Sequence, residues 1–337
     1  MNLRALNGMK AIVCNAFGDL SQIKFATTDE PTCGPDDILI KVRFATVSFM
    51  DWLMTDGGYQ MKPPLPYVPG TDASGVVKAV GKNVIRFKPG DRVATSTWYG
   101  AYGEVMRAPE GSCIRVPDGV NDLDAANIIY SYGSVHYGLI RRANLKAGET
   151  LLVTGATGGV GLAAIEIGKL LSARVIACVG SEDKRELAMQ YGADTTINYT
   201  TEDLRSSIKY ITDGRGIDVG FDIIGGDLFE KLARSMSWNG RLLPIGFASG
   251  NIPSLPMNLP LIKNFSIIGS FVGAWWEKCN DEAVKANHEV FHWASLGKIH
   301  PKTDRVMRLE EAPEALELLV KRKVKGRIAL WVSGPKP

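Results

Sequence analysis

TLLVTGATGGVGLAAIEIGKLL, residues 150–171, decides the fold. Its apolar run Leu151-Leu152-Val153 stops at Gly155, crosses Ala156, Thr157, Gly158, Gly159 and Val160 to Gly161, and resumes as Leu162-Ala163-Ala164-Ile165 with helical spacing. A buried strand that turns on glycines into a helix brings the main chain close to a pyrophosphate. Free N–H groups and the positive helix end then meet the phosphate charge. The strict Gly-x-Gly-x-x-Gly is absent, because Ala156 stands where its first glycine would be. A glycine-rich turn is often only a turn, so the neighbouring segments have to support it.

Downstream, RVIACVG (174–180), TTINY (195–199), DVGFDII (218–224) and GRLLPIGF (240–247) are short Val/Ile/Leu-rich runs. The helical stretches EDKRELAMQYG (182–192), EDLRSSIKYIT (202–212) and FEKLARSMS (229–237) separate them. That alternation is the pattern of a parallel sheet covered on both faces, and FSIIGSF (265–271) reads as its sixth strand. Upstream the grammar differs. KAIVC (10–14), ILIKVRFATV (38–47), GVVKAVG (75–81), DRVATST (91–97) and CIRVP (113–117) are β-type runs broken by Gly and Pro, as in a barrel or half-barrel. DLDAANIIYSYGSVHYGLIRRANL (122–145) has acids at its start and arginines at its end, which predicts a helix leading from one domain into the next. After the sixth strand come a long helix, the helix LEEAPEALELLVKRK (309–323) and a final strand RIALWV (327–332).

The 337 residues correspond to about two domains. With 45% hydrophobic and 22% charged residues, the chain has the apolar surface that a disordered sequence lacks. A net charge of +3 is too small for the basic surface that a phosphate backbone rewards, which argues against nucleic acid as a partner. The five cysteines are scattered and form no Cys-x-x-Cys pair, which points to reduced thiols in a reducing compartment. No run of about 18 apolar residues occurs, so no membrane span is expected, and a soluble, cytoplasmic protein is the reading.

The cofactor choice rests on the tip of the second strand, where an acid would bind the ribose 2′-OH of NAD. Here the strand ends in Gly180-Ser181, and Lys184 and Arg185 follow within a helical turn, where a cation can pair with a 2′-phosphate. NADP is therefore favoured. Lys184 and Arg185 as a solvated face, with Glu182 or Asp183 bending back to the ribose, is the alternative.

These segments, with PYVPGTDASGVV (66–77), FKPGDRV (87–93), AYGEVMRAP (101–109), KRELAMQYGADTTINY (184–199), DGRGIDVGFDIIGGD (213–227) and GRLLPIGFASG (240–250), resemble the medium-chain dehydrogenase/reductase superfamily, in particular its zinc-free quinone oxidoreductase branch. The resemblance covers nearly the whole chain. It implies an α/β protein in which a Rossmann doubly wound parallel sheet, residues 131–272, is inserted into a GroES-like β-rich catalytic domain, residues 1–130 and 273–337, with the active site in the cleft between them. It also implies NADP(H) as cofactor and hydride transfer to a quinone or to an activated C=C bond of the enone or acrylate type.

Zinc-dependent members would carry Cys near Ser48, Gly-His-Glu where this chain has Gly70-Thr71-Asp72, and a four-cysteine lobe of which only Cys113 is available. No metal is expected. The resemblance carries the cofactor contacts onto Ser134 near the nicotinamide and onto Thr157, Gly158, Gly159 and Val160 at the pyrophosphate. Gly180, Ser181, Lys184 and Tyr199 fall around the adenosine phosphate, and Gly246, Phe247, Phe271 and Gly326 on the nicotinamide side. Bland roles stand beside two of these: a strand-end tyrosine for Tyr199, and a helix cap or buried hydroxyl for Ser134.

On the substrate side, related enzymes have Asn in Val-Asn-x-x-Asp, where this chain reads Val47-Ser48-Phe49-Met50-Asp51. Ser48 keeps one donor with shorter reach, and Asp51 is expected to order the loop. Tyr59, in DGGYQM (56–61), matches a cleft tyrosine that donates to a developing oxyanion, against the alternative of a loop aromatic packed on the barrel.

Two rival functions remain. His288-Glu289-Val290-Phe291-His292 satisfies the His-Glu-x-x-His pattern of zinc peptidases, but a helical wheel puts Val284, Val290, Phe291 and Ala294 on the apolar side and both histidines on the polar flank. The other rival is a non-catalytic, NADPH-binding structural or regulatory protein on the same fold. A homodimer through residues 265–271 is also expected, since an apolar edge run is an aggregation hazard unless it is paired.

Overall fold

The computed structural model describes residues 8–335, so residues 1–7 and 336–337 of the expected catalytic domain lie outside the described residues. Two compact units form. One holds the described residues up to Tyr130 and from Cys279 onward, the other Ser131–Lys278.

In the second unit six parallel strands are ordered Thr195–Asn198, Arg174–Val179, Thr150–Thr154, Ile217–Asp222, Met236–Pro244 and Ser266–Ile267. The chain starts in the third position and winds outward in both directions, as in a doubly wound sheet. The Val/Ile/Leu runs are buried on both faces: Thr150–Thr154 is buried throughout, and Leu152, Ile176, Ile197, Leu232 and Leu242 share one core. Each such side chain contributes about 1.5–3 kcal/mol by leaving water.

Two expectations change here. The run 265–271 pairs only over Ser266–Ile267 before it leaves the sheet for the helix Val272–Lys278. That helix belongs to the second unit, whose boundary falls after Lys278 rather than after residue 272. The reason is packing: Trp275 stacks on Tyr137 with ring centroids 4.4 Å apart.

The expected helix 122–145 is α-helical over Asp122–Ile128, then winds more widely over Ile129–Gly133 and His136–Arg142. Its acidic start works as the sequence suggests. The Asn121 side chain accepts from the Asp124 N–H at 2.8 Å, and Asp122 receives Arg92 at 2.8 Å and also Arg43.

The first unit is built on a sheet ordered Thr303–Arg308, Arg327–Trp331, Asp37–Val47, Asp72–Val80, Arg92–Ser96 and Cys113–Arg115, with Val105–Pro109 also pairing Asp37–Val47. All pairings are antiparallel except the first. Thr303–Arg308 is a strand the sequence reading misses, because its alternation TDRVMR is largely polar and only Arg327–Trp331 supports it. Gly8–Cys14 and Ile23–Asp29 form a separate hairpin. Ile12, Val42, Tyr102, Met106, Leu316 and Ile328 share this unit's core. Among the described residues no helix is long and apolar enough to cross a membrane.

Candidate active site

The Ser131–Lys278 unit carries a candidate site made of main chain. The strand Thr150–Thr154 ends, the loop 155–158 turns, and Gly158 caps the helix Gly159–Leu170 without any side-chain hydrogen bond. The first N–H groups of that helix, on Gly159 and Val160 among others, are thus left for a ligand rather than for a capping side chain. Gly161 has to be glycine: a Cβ there would lie 2.3 Å from the Gly155 carbonyl oxygen and 2.7 Å from the Ala156 backbone. Thr157 is buried in the loop.

Beside it, at the C-terminal ends of the adjacent strands, the Thr154 hydroxyl lies 2.5 Å from Asp222 Oδ1 and accepts from the Ile223 N–H at 2.9 Å. Asp222 Oδ2 accepts from the Gly225 N–H at 2.8 Å, and burial raises its carboxyl above the ordinary range. Gly246 and Phe247 follow the next strand, their turn held by the Ala248 N–H donating to Ile223 O at 3.1 Å.

At the other side of the loop the structure brings Gly180 and Tyr199 together. A Cβ on Gly180 would meet the Tyr199 hydroxyl at 2.5 Å, so only glycine leaves room for that ring. Ser181 and Lys184 are half-buried in the turn that follows. Arg185 is not available to a phosphate: its guanidinium is taken by Glu182 at 2.8 Å, by Thr196 O at 3.1 Å and by Glu202. The same contact holds Glu182 and keeps its carboxyl below the ordinary range, with Asn198 assisting. Ser134 is buried between the two wide helical segments, and Phe271, half exposed, precedes the helix Val272–Lys278. Gly326 lies in the other unit, at the turn into Arg327–Trp331.

The first unit carries a cluster of its own, made of side chains. Ser48 caps the helix Phe49–Asp56 in a capping box: its hydroxyl donates to Asp51 Oδ2 at 2.8 Å, the Asp51 N–H returns to Ser48 Oγ at 3.1 Å, and the Ser48 N–H donates to Asp51 Oδ2 at 2.7 Å. Tyr102 donates to the same oxygen at 2.9 Å. Asp51 Oδ1 is buried and has no partner among the described residues. Burial, then the neighbouring Asp72, pushes the Asp51 carboxyl up to about 6. Phe49 packs on Trp52 with centroids 5.0 Å apart. Tyr59 lies against Trp98 at 6.2 Å, and burial raises its phenol, so it stays a donor at neutral pH.

Three residues central to this cluster are not singled out by the sequence reading. Asp72 pairs with Arg327 at 2.9 Å, both fully buried, and the Arg327 guanidinium lies 5.1 Å from the Tyr130 ring centre. Tyr102 is the third. The available signal was an ionisable residue at the first position of each of two strands, DASGVVKAV and RIALW, 255 positions apart.

The residues matching zinc-ligand positions do not fit zinc. Ser48 is spent on Asp51, and the carboxylate of Asp72 is held by a guanidinium. Cys113 is buried on the strand Cys113–Arg115, where burial lifts its thiol to about 11. His288 and His292 are both exposed on the helix Asn280–Ser295, whose buried side is Ala283, Ala286, Asn287, Val290 and Phe291. Among the described residues no three His, Cys, Asp or Glu side chains form a group able to hold a metal.

Comparison with known proteins agrees with this architecture. The alcohol dehydrogenase GroES-like domain model matches residues 34–118, and the model described as zinc-binding dehydrogenase matches residues 159–287. Quinone oxidoreductase-like protein 2 of Rattus norvegicus is 37% identical over 298 residues, covering 88% of this chain and 85% of the rat protein. Quinone oxidoreductase of Homo sapiens is 34% identical over 264 residues, covering 77% of this chain and 79% of the human one. The crystal structure of Escherichia coli quinone oxidoreductase complexed with NADPH superposes with a TM-score of 0.89 at 27% identity, over 96% of this chain and 99% of that one. The chain belongs to the medium-chain dehydrogenase/reductase superfamily, in its quinone oxidoreductase branch.

Proposed function

We propose that the protein is an NADPH-dependent oxidoreductase that passes hydride to a quinone or to the activated C=C bond of an enone or acrylate, without a metal. The observation that carries this is the uncapped glycine loop at Gly158 together with the Gly180–Tyr199 contact. It is supported by the relatives' names and by the NADPH bound in the E. coli structure.

In this reading the N–H groups of Gly159 and Val160 hold the pyrophosphate, with Thr157 and Gly158 lining it while the Gly158 N–H donates to Gly155 O at 3.1 Å. Gly180, Ser181, Tyr199 and Lys184 hold the adenosine phosphate, and Ser134, Gly246, Phe247, Phe271 and Gly326 the nicotinamide side. NADPH, when bound, supplies the hydride. Tyr59 donates a hydrogen bond to the oxygen that gains charge and Phe49 gives the acceptor an apolar wall, while the Ser48 hydroxyl, expected as a donor to the acceptor, is instead held by Asp51 at the start of the helix Phe49–Asp56. Alignment supplies most of the rate, because the chemistry resides in the cofactor.

One observation favours the rival, an NADPH-binding protein without turnover: the Ser48 hydroxyl already donates to Asp51. NADPH oxidation against a panel of benzoquinones, naphthoquinones, enones and acrylate-type acids separates the two. Turnover of any of them supports the enzyme, and tight NADPH binding without oxidation supports the rival.

The proposal includes a homodimer through residues 265–271, because Ser266–Ile267 ends the sheet and Ile267 and Phe271 are 39% and 48% exposed. A monomer in sedimentation at micromolar concentration would count against it. It also includes a cytoplasmic location, supported by five free cysteines of which Cys14, Cys113 and Cys178 are buried.

A further inference from the structure

We propose that the Ser131–Lys278 unit carries a second ligand site, a basic concavity beside Trp238 that takes a small planar aromatic anion such as a phosphate or sulfate monoester. The cavity, about 700 Å³, runs along the helix Leu204–Ile211 to the starts of the strands Ile217–Asp222 and Met236–Pro244. That volume falls in the range of small-molecule sites. Because the sheet is parallel, Gly214, Gly216 and Ser235 precede their strands, whereas the glycine loop follows the C-terminal end of Thr150–Thr154. None of the residues assigned to the dinucleotide lines this cavity.

Charge defines the ligand. Arg205, Lys209, Arg215, Arg234 and Lys263 line the cavity against one carboxylate, Asp203, so the lining carries +4 while the whole chain carries +3. Asp203 is committed to the helix cap, accepting from the Ser206 N–H at 2.9 Å, and Arg234 to Glu230 at 2.6 Å. Arg205, Lys209 and Lys263 form no ion pair among the described residues. Like charges gathered in a concave surface repel one another, and a bound anion relieves that repulsion.

Trp238 defines the rest. Its side chain is 70% exposed, and no ring or cation covers it among the described residues. Its backbone is held in place: the Asn239 N–H donates to Asn264 O at 3.1 Å, and the Asn264 amide donates to Asn239 Oδ1 at 2.5 Å. A fixed, bare indole among unpaired cations is a stacking surface for a ring that carries negative charge. The buried side chains of Ile208 and Met236 give the cavity an apolar floor. A single exposed aromatic in one concavity suits one ring, whereas a nucleic-acid strand calls for a succession of them.

The test uses the full chain saturated with NADPH, so that the dinucleotide site is filled, and titrates 1-naphthyl phosphate by calorimetry. One site per chain is expected, with 1-naphthol and inorganic phosphate each about tenfold weaker or more. Trp238→Ala should weaken 1-naphthyl phosphate about fivefold, and Arg205→Glu combined with Lys209→Glu more than about tenfold, with NADPH affinity unchanged in both. All three positions are exposed, so the fold tolerates these changes. No heat at millimolar 1-naphthyl phosphate, equal binding by the variants, or displacement by NADPH would overturn the proposal. So would a tighter response to a 5′-phosphorylated single-stranded DNA decamer. Quinone turnover is not part of the readout, so the outcome is independent of the catalytic reading.

Discussion

The dinucleotide loops of the Ser131–Lys278 unit and the Ser48–Asp51–Asp72 cluster of the other unit are made of different material. The first consists of main-chain N–H groups, shaped by positions such as Gly161 and Gly180 where a Cβ has no room. The second consists of side chains that share protons: two buried carboxylates, Asp51 and Asp72, and one guanidinium, Arg327. A backbone site depends on space and tolerates any outward side chain. A buried polar cluster depends on charge balance and tolerates the loss of no member.

The sharpest way to break that contrast is Arg327→Met. It keeps the volume but leaves Asp72 buried without its cation, and should cost about 3–5 kcal/mol in urea unfolding. Asp72→Asn in the same chain should recover much of that. A loss below about 1 kcal/mol for Arg327→Met alone would mean that the pair is not the centre of the cluster.

Asp51 gives the next effect. Its native carboxyl titrates at about 6, above the ordinary range, because of burial and then of Asp72. The folded state therefore holds this proton more tightly than the unfolded chain does. The stabilisation is complete below about pH 4 and is lost as pH rises through about 6, by an amount on the order of 3 kcal/mol. Asp51→Asn keeps the shape and removes the titration. The stability difference between variant and wild type should thus move in the variant's favour from pH 4 to pH 7.5, and parallel profiles would refute the assignment.

Gly161→Ala probes the other material. The new Cβ meets backbone, not a flexible side chain, so the loop itself must shift, at a cost of about 1–3 kcal/mol. NADPH affinity, followed by fluorescence titration, should fall at least about tenfold. Unchanged affinity would show that the loop does not hold the pyrophosphate.

The same contrast explains what could be read from the amino acids. The strand, glycine turn and helix of residues 150–170 are contiguous, and their pattern is local, so six strands of one sheet were legible from spacing alone. Even there, the strand at 265–271 was overestimated, because apolar composition signals burial or an edge without saying how long pairing lasts. The capping box of Ser48 and Asp51 is likewise local, three residues apart, and the ordering role of Asp51 was legible from it. Asp72 and Arg327 are brought together only by the antiparallel register through Asp37–Val47, in which Thr46 pairs with both Asp72 and Ala329. No local pattern encodes that meeting. The same holds for Arg185, whose place beside Lys184 suggests a phosphate ligand until Glu202 is seen to occupy it.

That occupation sharpens the smallest expected effect. With Arg185 held by Glu182 and Glu202, the proposed function gives Lys184 the discrimination of the 2′-phosphate of NADPH from the 2′-hydroxyl of NADH. Lys184→Ala should raise KM for NADPH about tenfold, a loss of about 1–2 kcal/mol for a partly exposed ion pair, and leave KM for NADH almost unchanged. Ser181 and Tyr199 share the site, so the preference should weaken and not invert. An equal loss with both cofactors would make Lys184 a support of the turn and nothing more. A wild-type enzyme that prefers NADH would mean that Asp183 reaches the ribose, since Glu182 is already bound by Arg185 and would have to break that pair to do so.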